Sequence, residues 1–131
     1  MVVKNIDAVK AFTSLSDLNR HKFNDGHIAR KVYNLMNSLQ PVFEFQVQEE
    51  RKIYKEHPNY DPRNHGINFA EKGILREDAQ KEIEQIDAEL EKLANLESDV
   101  AYEAFEIDLS KESVPLSGED YGNLRNFVNF V

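Results

Sequence analysis

Apolar residues first recur at a helical period after Asn24-Asp25-Gly26, where Ile28, Val32, Leu35, Met36, Leu39 and Phe43 stand three and four apart. That stripe predicts a long helix over 27–56, bent near Pro41, whose ring removes one backbone donor. A second run, Ala79, Ile83, Ile86, Leu90 and Leu93, keeps a strict 4-3-4-3 rhythm. It predicts a coiled-coil-like helix over 76–97, with Glu77 and Asp78 in the electrostatically favourable first turn. Phe105, Ile107 and Leu109 instead alternate with Glu106 and Asp108, which fits a short strand over 104–109 with one wet face. Its partner is expected to be the N-terminal MVVK segment or the same strand of a second subunit.

The flanks carry shorter signals. Asn5 stands where it can cap a short helix through Ile6, Val9 and Phe12. Ser117-Gly118-Glu119-Asp120 has the form of a capping box, opening a C-terminal helix over 117–128 that carries Tyr121, Leu124 and Val128. The tail Phe127-Val128-Asn129-Phe130-Val131 is apolar enough to require a core or a neighbour to cover it. The expected fold is therefore mainly α, one domain over 1–131. It is a long antiparallel helical hairpin with a connecting loop at 57–75, a small β element and short terminal helices.

Charge changes this picture in one place. Between Glu77 and Asp108 stand twelve acidic residues against Lys81 and Lys92 alone, an excess of ten negative charges that an excess of two positive ones elsewhere brings to the net −8. In a folded hairpin the Arg51-Lys52-Lys55 cluster is expected to lie alongside Glu77, Asp78 and Glu82, choosing the orientation while the apolar seam supplies the stability. The acidic balance argues against binding to a phosphate backbone, so no direct nucleic-acid contact is expected. The amphipathic segments have acidic polar faces and no run is long and apolar enough to span a bilayer, so no membrane association is expected either. With no cysteine, disulfides and thiolate chemistry are excluded.

Candidate chemistry is sparse. The 57–75 loop offers Tyr60 and Phe69 for stacking, Arg63 as an anion fork and His65, held by Pro58, Pro62, Gly66 and Gly73, which makes it a candidate recognition tip. His57, His65 and Asp61 match no metal-ligand spacing. Glu84-x-x-Asp87 and Glu103-x-x-Glu106 share the spacing with which all-α nucleoside triphosphate pyrophosphatases hold magnesium, but the first helix supplies no matching pair. No nucleophile elbow or phosphate loop is present, so neither an enzyme nor a cofactor is expected.

The order of parts, with Pro41-Val42-Phe43-Glu44-Phe45 leading to Glu49-Glu50-Arg51-Lys52-Ile53, then Glu84 to Leu96, then Phe105 to Leu109 and Leu116-Ser117, resembles small acidic proteins of unknown function encoded by tailed phages and prophages. That resemblance implies a phage context, in the host cytoplasm or the particle, and no catalytic residues. The leading expectation is a non-enzymatic interaction or assembly protein acting as a homo-oligomer, touching another phage or host protein. Phe105, Ile107, Phe127, Val128 and Phe130 are the candidate subunit contacts. The alternatives are a binder of a nucleotide signal or inhibitor of a host defence component, using Tyr60, Arg63, His65 and Phe69, and a magnesium-dependent nucleotide hydrolase. An acidic DNA mimic ranks behind these.

Overall fold

A computed structural model describes residues 1–131. Its elements in order are β1 (Val2–Lys4), α1 (Asn5–Arg20), α2 (Gly26–Glu56), β2 (Tyr60–Asp61), β3 (Gly66–Ile67), α3 (Phe69–Lys72), α4 (Arg76–Ala94), β4 (Glu97–Asp99), β5 (Phe105–Ile107), α5 (Gly118–Leu124) and β6 (Val128–Phe130). The fold is mainly α, and none of its helices is long and apolar enough to cross a membrane.

Helix α2 is the spine. Its 31 residues rise about 1.5 Å each, so it runs about 46 Å. Asp25 caps it by accepting from the His27 N–H, and it continues through Pro41 as one helix rather than two abutting pieces. Pro41 leaves the Asn37 carbonyl without its helical donor, and Asn37 is exposed, so water can serve it. Two antiparallel helices lie along the spine. Helix α1 covers its first half, with Phe12 stacked on Phe43 at 4.5 Å between ring centroids, and α4 covers its second half, with Gln46 reaching the Leu93 carbonyl.

The α1 helix is longer than the short helix expected through Phe12. Ala8, Ala11, Leu15 and Leu18 are fully buried, a 3-4-3 stripe whose small first members let α1 approach α2 closely. Asn5 does not cap it. Lys4 holds the cap position without a side-chain bond, and the Asn5 side chain turns inward. Its amide donates to Gln46 Oε1 at 2.9 Å, and its oxygen accepts from Ser98 Oγ at 2.6 Å.

Three small two-stranded ladders close the molecule, and the expected pairing of MVVK with 104–109 does not form. β1 pairs antiparallel with β4, Val3 opposite Ser98, in a segment expected to end the acidic helix. That helix stops at Ala94, where Asn95 takes the C-cap and donates its backbone N–H to the Glu91 carbonyl. β5 pairs in parallel with β6, Phe105 opposite Val128 and Ile107 opposite Phe130. The expected helix over 117–128 therefore ends at Leu124. Its start is as read, since Ser117 and Asp120 form a reciprocal capping box with bonds of 3.1 and 3.2 Å.

The buried apolar residues fall into two groups. The main core joins α1, the first half of α2, β5, α5 and β6, and includes Leu15, Leu39, Ile107, Leu124 and Phe127. A satellite of Tyr60, Ile67, Ala79 and Ile86 lies at the far end of the α2–α4 hairpin, with Ile53, Tyr54, Ile83 and Leu90 packed against it. Phe105, Ile107, Phe127 and Val128 are all buried in the main core of one chain, which corrects their assignment as subunit contacts. Phe130 is half-buried with its ring edge-on to Tyr121. The apolar tail is covered from within because the parallel ladder turns its alternate side chains inward.

Candidate functional site

The far end of the hairpin gathers most of the chain's exposed special chemistry. The 57–75 segment is not an open loop. After α2 it makes a tight β2–β3 turn in which the Asp61 carboxylate accepts from the Arg63 backbone N–H and the Asn64 amide. His65 closes that turn in the left-handed region at φ 51°, and Gly66 follows. The short helix α3 is capped by Asn68, which accepts from the Glu71 N–H while its amide donates to the Glu71 carboxylate. Gly73, at φ 68°, terminates it in the conformation that glycine adopts without a Cβ clash.

The four residues expected at the recognition tip separate. Tyr60 is buried and its ring stacks on Tyr54, centroids 5.8 Å apart and planes 11° from parallel. It is a support for the tip and has no free face for a ligand ring. Arg63, His65 and Phe69 are exposed. Leu75, which the sequence reading passed over, is 71% exposed beside Phe69 at 37%. Thus the tip presents two apolar side chains on a backbone fixed by four side-chain hydrogen bonds.

Beneath the tip the expected charge pairing is replaced by another. Arg51 and Lys55 make no ion pair with α4, and Lys52 bonds Glu49 of its own helix at 2.7 Å. The Glu82 carboxylate is taken by His57, the C-cap of α2, at 3.0 Å from Nδ1. His57 Nε2 faces Glu89 Oε2 at 3.5 Å, and the His57 side chain is only 10% exposed. Glu89 Oε2 is itself buried without a hydrogen-bond partner. Glu56, His57 and Glu89 each place one ligand atom within 4.8 Å of the others. Sequence spacing had set His57 against His65 and Asp61; the imidazole instead meets carboxylates from a helix more than twenty residues away. The Glu84, Asp87, Glu103 and Glu106 carboxylates of the spacing shared with pyrophosphatases are exposed and belong to no converging group.

Acidity is perturbed around the stacked tyrosines. Burial pushes the Tyr54 phenol above its usual value, with Glu50 adding to the effect, and burial does the same for Tyr60 with help from Asp87 and Asp61. Burial alone raises the Glu50 carboxyl. A carboxyl whose folded value is raised contributes stability that is present below its unfolded value of about 4.3 and is lost as pH rises through the folded value. Glu50→Gln should therefore stabilise the fold at pH 7, by less than about 1 kcal/mol because the group is only half-buried and solvent-screened, and raise Tm accordingly. Melts at pH 7 and near pH 4 check this, since the gain must fade in acid; an equal gain at both would rule out the carboxylate's burial as its source.

No protein-family model, curated protein or solved structure matches the chain.

Proposed function

We propose that this chain is a non-enzymatic interaction protein that works by self-association, of the type used in phage assembly, and that its partner is a second copy of itself. One observation carries the reading: opposite charges occupy exposed faces at different places on the molecule. Glu77, Glu84, Asp87 and Glu91 are exposed along α4. At the other end of the spine, residues 19–31 hold Arg20, Lys22, Arg30 and Lys31 against the single acid Asp25. Such a surface pairs head to tail, α4 of one copy against the α1–α2 corner of the next, which is a heterologous contact that closes into a ring or extends. The exposed Leu75 and Phe69, at the start of α4, supply the apolar part of the contact.

The phage context rests on the segment order described above. The buried tail removes Phe105, Ile107, Phe127 and Val128 from the contact and leaves the charged faces and the tip to make it.

Gel filtration with light scattering tests the proposal. At low ionic strength the mass should be a multiple of the 15.2 kDa chain. It should fall toward the single chain in about 1 M salt, where the Debye length is about 3 Å, and in the Arg20→Glu/Arg30→Glu variant. A mass of one chain at low salt and high concentration would remove the self-association reading.

A further inference from the structure

We propose that Glu56, His57 and Glu89 form a binding site for a divalent first-row cation of the zinc class, with Glu82 orienting the imidazole. The argument begins with the proton on His57. A carboxylate only accepts, so the 3.0 Å contact with Glu82 fixes the hydrogen on Nδ1 and leaves Nε2 directed at Glu89. A histidine that ligates a metal through one ring nitrogen while donating the other N–H to a carboxylate has this arrangement.

The distances agree with an ion between the groups. A charge-assisted hydrogen bond is about 2.7–2.9 Å long. The Nε2 to Oε2 separation is 3.5 Å, and Oε2 makes no hydrogen bond although it is buried. Two ligands at about 2.0–2.2 Å from a tetrahedral ion stand about 3.4 Å apart. Glu56, exposed and on the helix end beside His57, already places a third ligand atom within the 4.8 Å span. That set of one imidazole and two carboxylates leaves a fourth position for water.

Access and field favour a cation. Glu56 and Glu89 both line an open groove of about 370 Å³ between α2 and α4, which also holds Glu49 and two opposing cations, Lys52, paired with Glu49, and Lys92. His57 is the C-cap of α2, where the last carbonyls and the helix dipole present partial negative charge. A bound ion would tie the end of α2 to α4 directly beneath the tip. The mixed nitrogen and oxygen donors suit Zn²⁺ better than Mg²⁺ or Ca²⁺, which take oxygen.

Calorimetric titration of the chain with Zn²⁺, backed by elemental analysis after dialysis, tests the proposal. One equivalent should bind, and Tm should rise with added Zn²⁺ but not with Mg²⁺. Glu89→Gln and Glu56→Gln should each weaken Zn²⁺ at least tenfold, as should Glu82→Gln through the imidazole. His65→Gln, on the same tip, should leave affinity unchanged. Glu56 is exposed, so its variant folds whatever happens at His57. Absence of Zn²⁺ binding, or binding that survives Glu56→Gln and Glu89→Gln together, overturns the proposal. The site lies within one chain, so its failure leaves self-association to its own test.

Discussion

Glu112→Ala will lower stability by about 2–4 kcal/mol, a fall in Tm on the order of 10 °C, although Glu112 lies in an irregular segment far from the hairpin. Its side chain is 2% exposed and spans the turn between α1 and α2. One carboxylate oxygen accepts from the Asn24 backbone N–H and the other from Asp25, both at 3.0 Å. Asp25 is also the N-cap of α2, so the same carboxylate sets the start of the spine. Removing it leaves two donors without partners in a partly buried turn, and each such loss costs about 1–3 kcal/mol. His21 Nε2 lies 3.9 Å from the same carboxylate, too far for a hydrogen bond. Glu112→Gln keeps one acceptor oxygen and should lose roughly half as much. Denaturant melts decide the point. An alanine variant within 1 kcal/mol of the parent would mean that water satisfies both N–H groups, and a glutamine variant more stable than the parent would mean that burial of the charge dominates.

The second large effect is expected at Asn5. Its side chain, Gln46 and Ser98 form a buried polar chain that continues from Gln46 Nε2 to the Leu93 carbonyl at 3.3 Å. The Asn5 backbone N–H adds a 2.7 Å bond to the Leu96 carbonyl. One residue thereby ties the start of α1 to the middle of α2 and to the α4–β4 junction. Asn5→Ala strands Gln46 Oε1 and the Ser98 hydroxyl and should cost about 2–4 kcal/mol. Because Gln46 is itself 3% exposed, Gln46→Leu alone should also be costly, and the double variant Asn5→Ala/Gln46→Leu should cost less than the two added together. Strict additivity in that cycle would show that Asn5 and Gln46 do not act as a unit.

Legibility followed the length and the wetness of each element. Helix α2 was readable to within one residue, because a sustained stripe with Asp25 ahead of it admits few alternatives, and the Ser117 capping box was readable from four residues. The second half of α1 was missed because Leu15 and Leu18 are two isolated apolar positions, and the Ala8, Ala11 and Ser14 positions that complete their buried stripe are small or polar and carry little hydrophobic signal. β4 was not anticipated, its first residue Glu97 being counted as the end of the acidic helix, because Glu97-Ser98-Asp99 has no apolar alternation; only its pairing with β1 makes it a strand. β6, at three residues, is too short for a period to show, and a parallel partner more than twenty residues away leaves no local trace. At the tip, composition marked the segment but could not say that Tyr60 faces inward and Leu75 outward. The His57 cluster was invisible for a related reason, since its carboxylates come from α4 and only the hairpin's register brings Glu82 and Glu89 to the ring.

The two ladders at the ends of the chain have a consequence for the order in which it folds. β1 at residues 2–4 waits for residues 97–99, and β6 at 128–130 closes on residues 105–107, so one short stretch receives both. The α2–α4 hairpin closes a loop of only a few tens of residues, whereas the β1–β4 ladder must close one more than three times longer, at an entropic cost that rises slowly with length. Contacts of high sequence separation slow folding, and the hairpin can form before them. The 95–107 stretch is then the clasp of the molecule: it holds β6 through a loop as short as the hairpin's and β1 through a far longer one, so the N-terminal arm is the later of the two to be fixed.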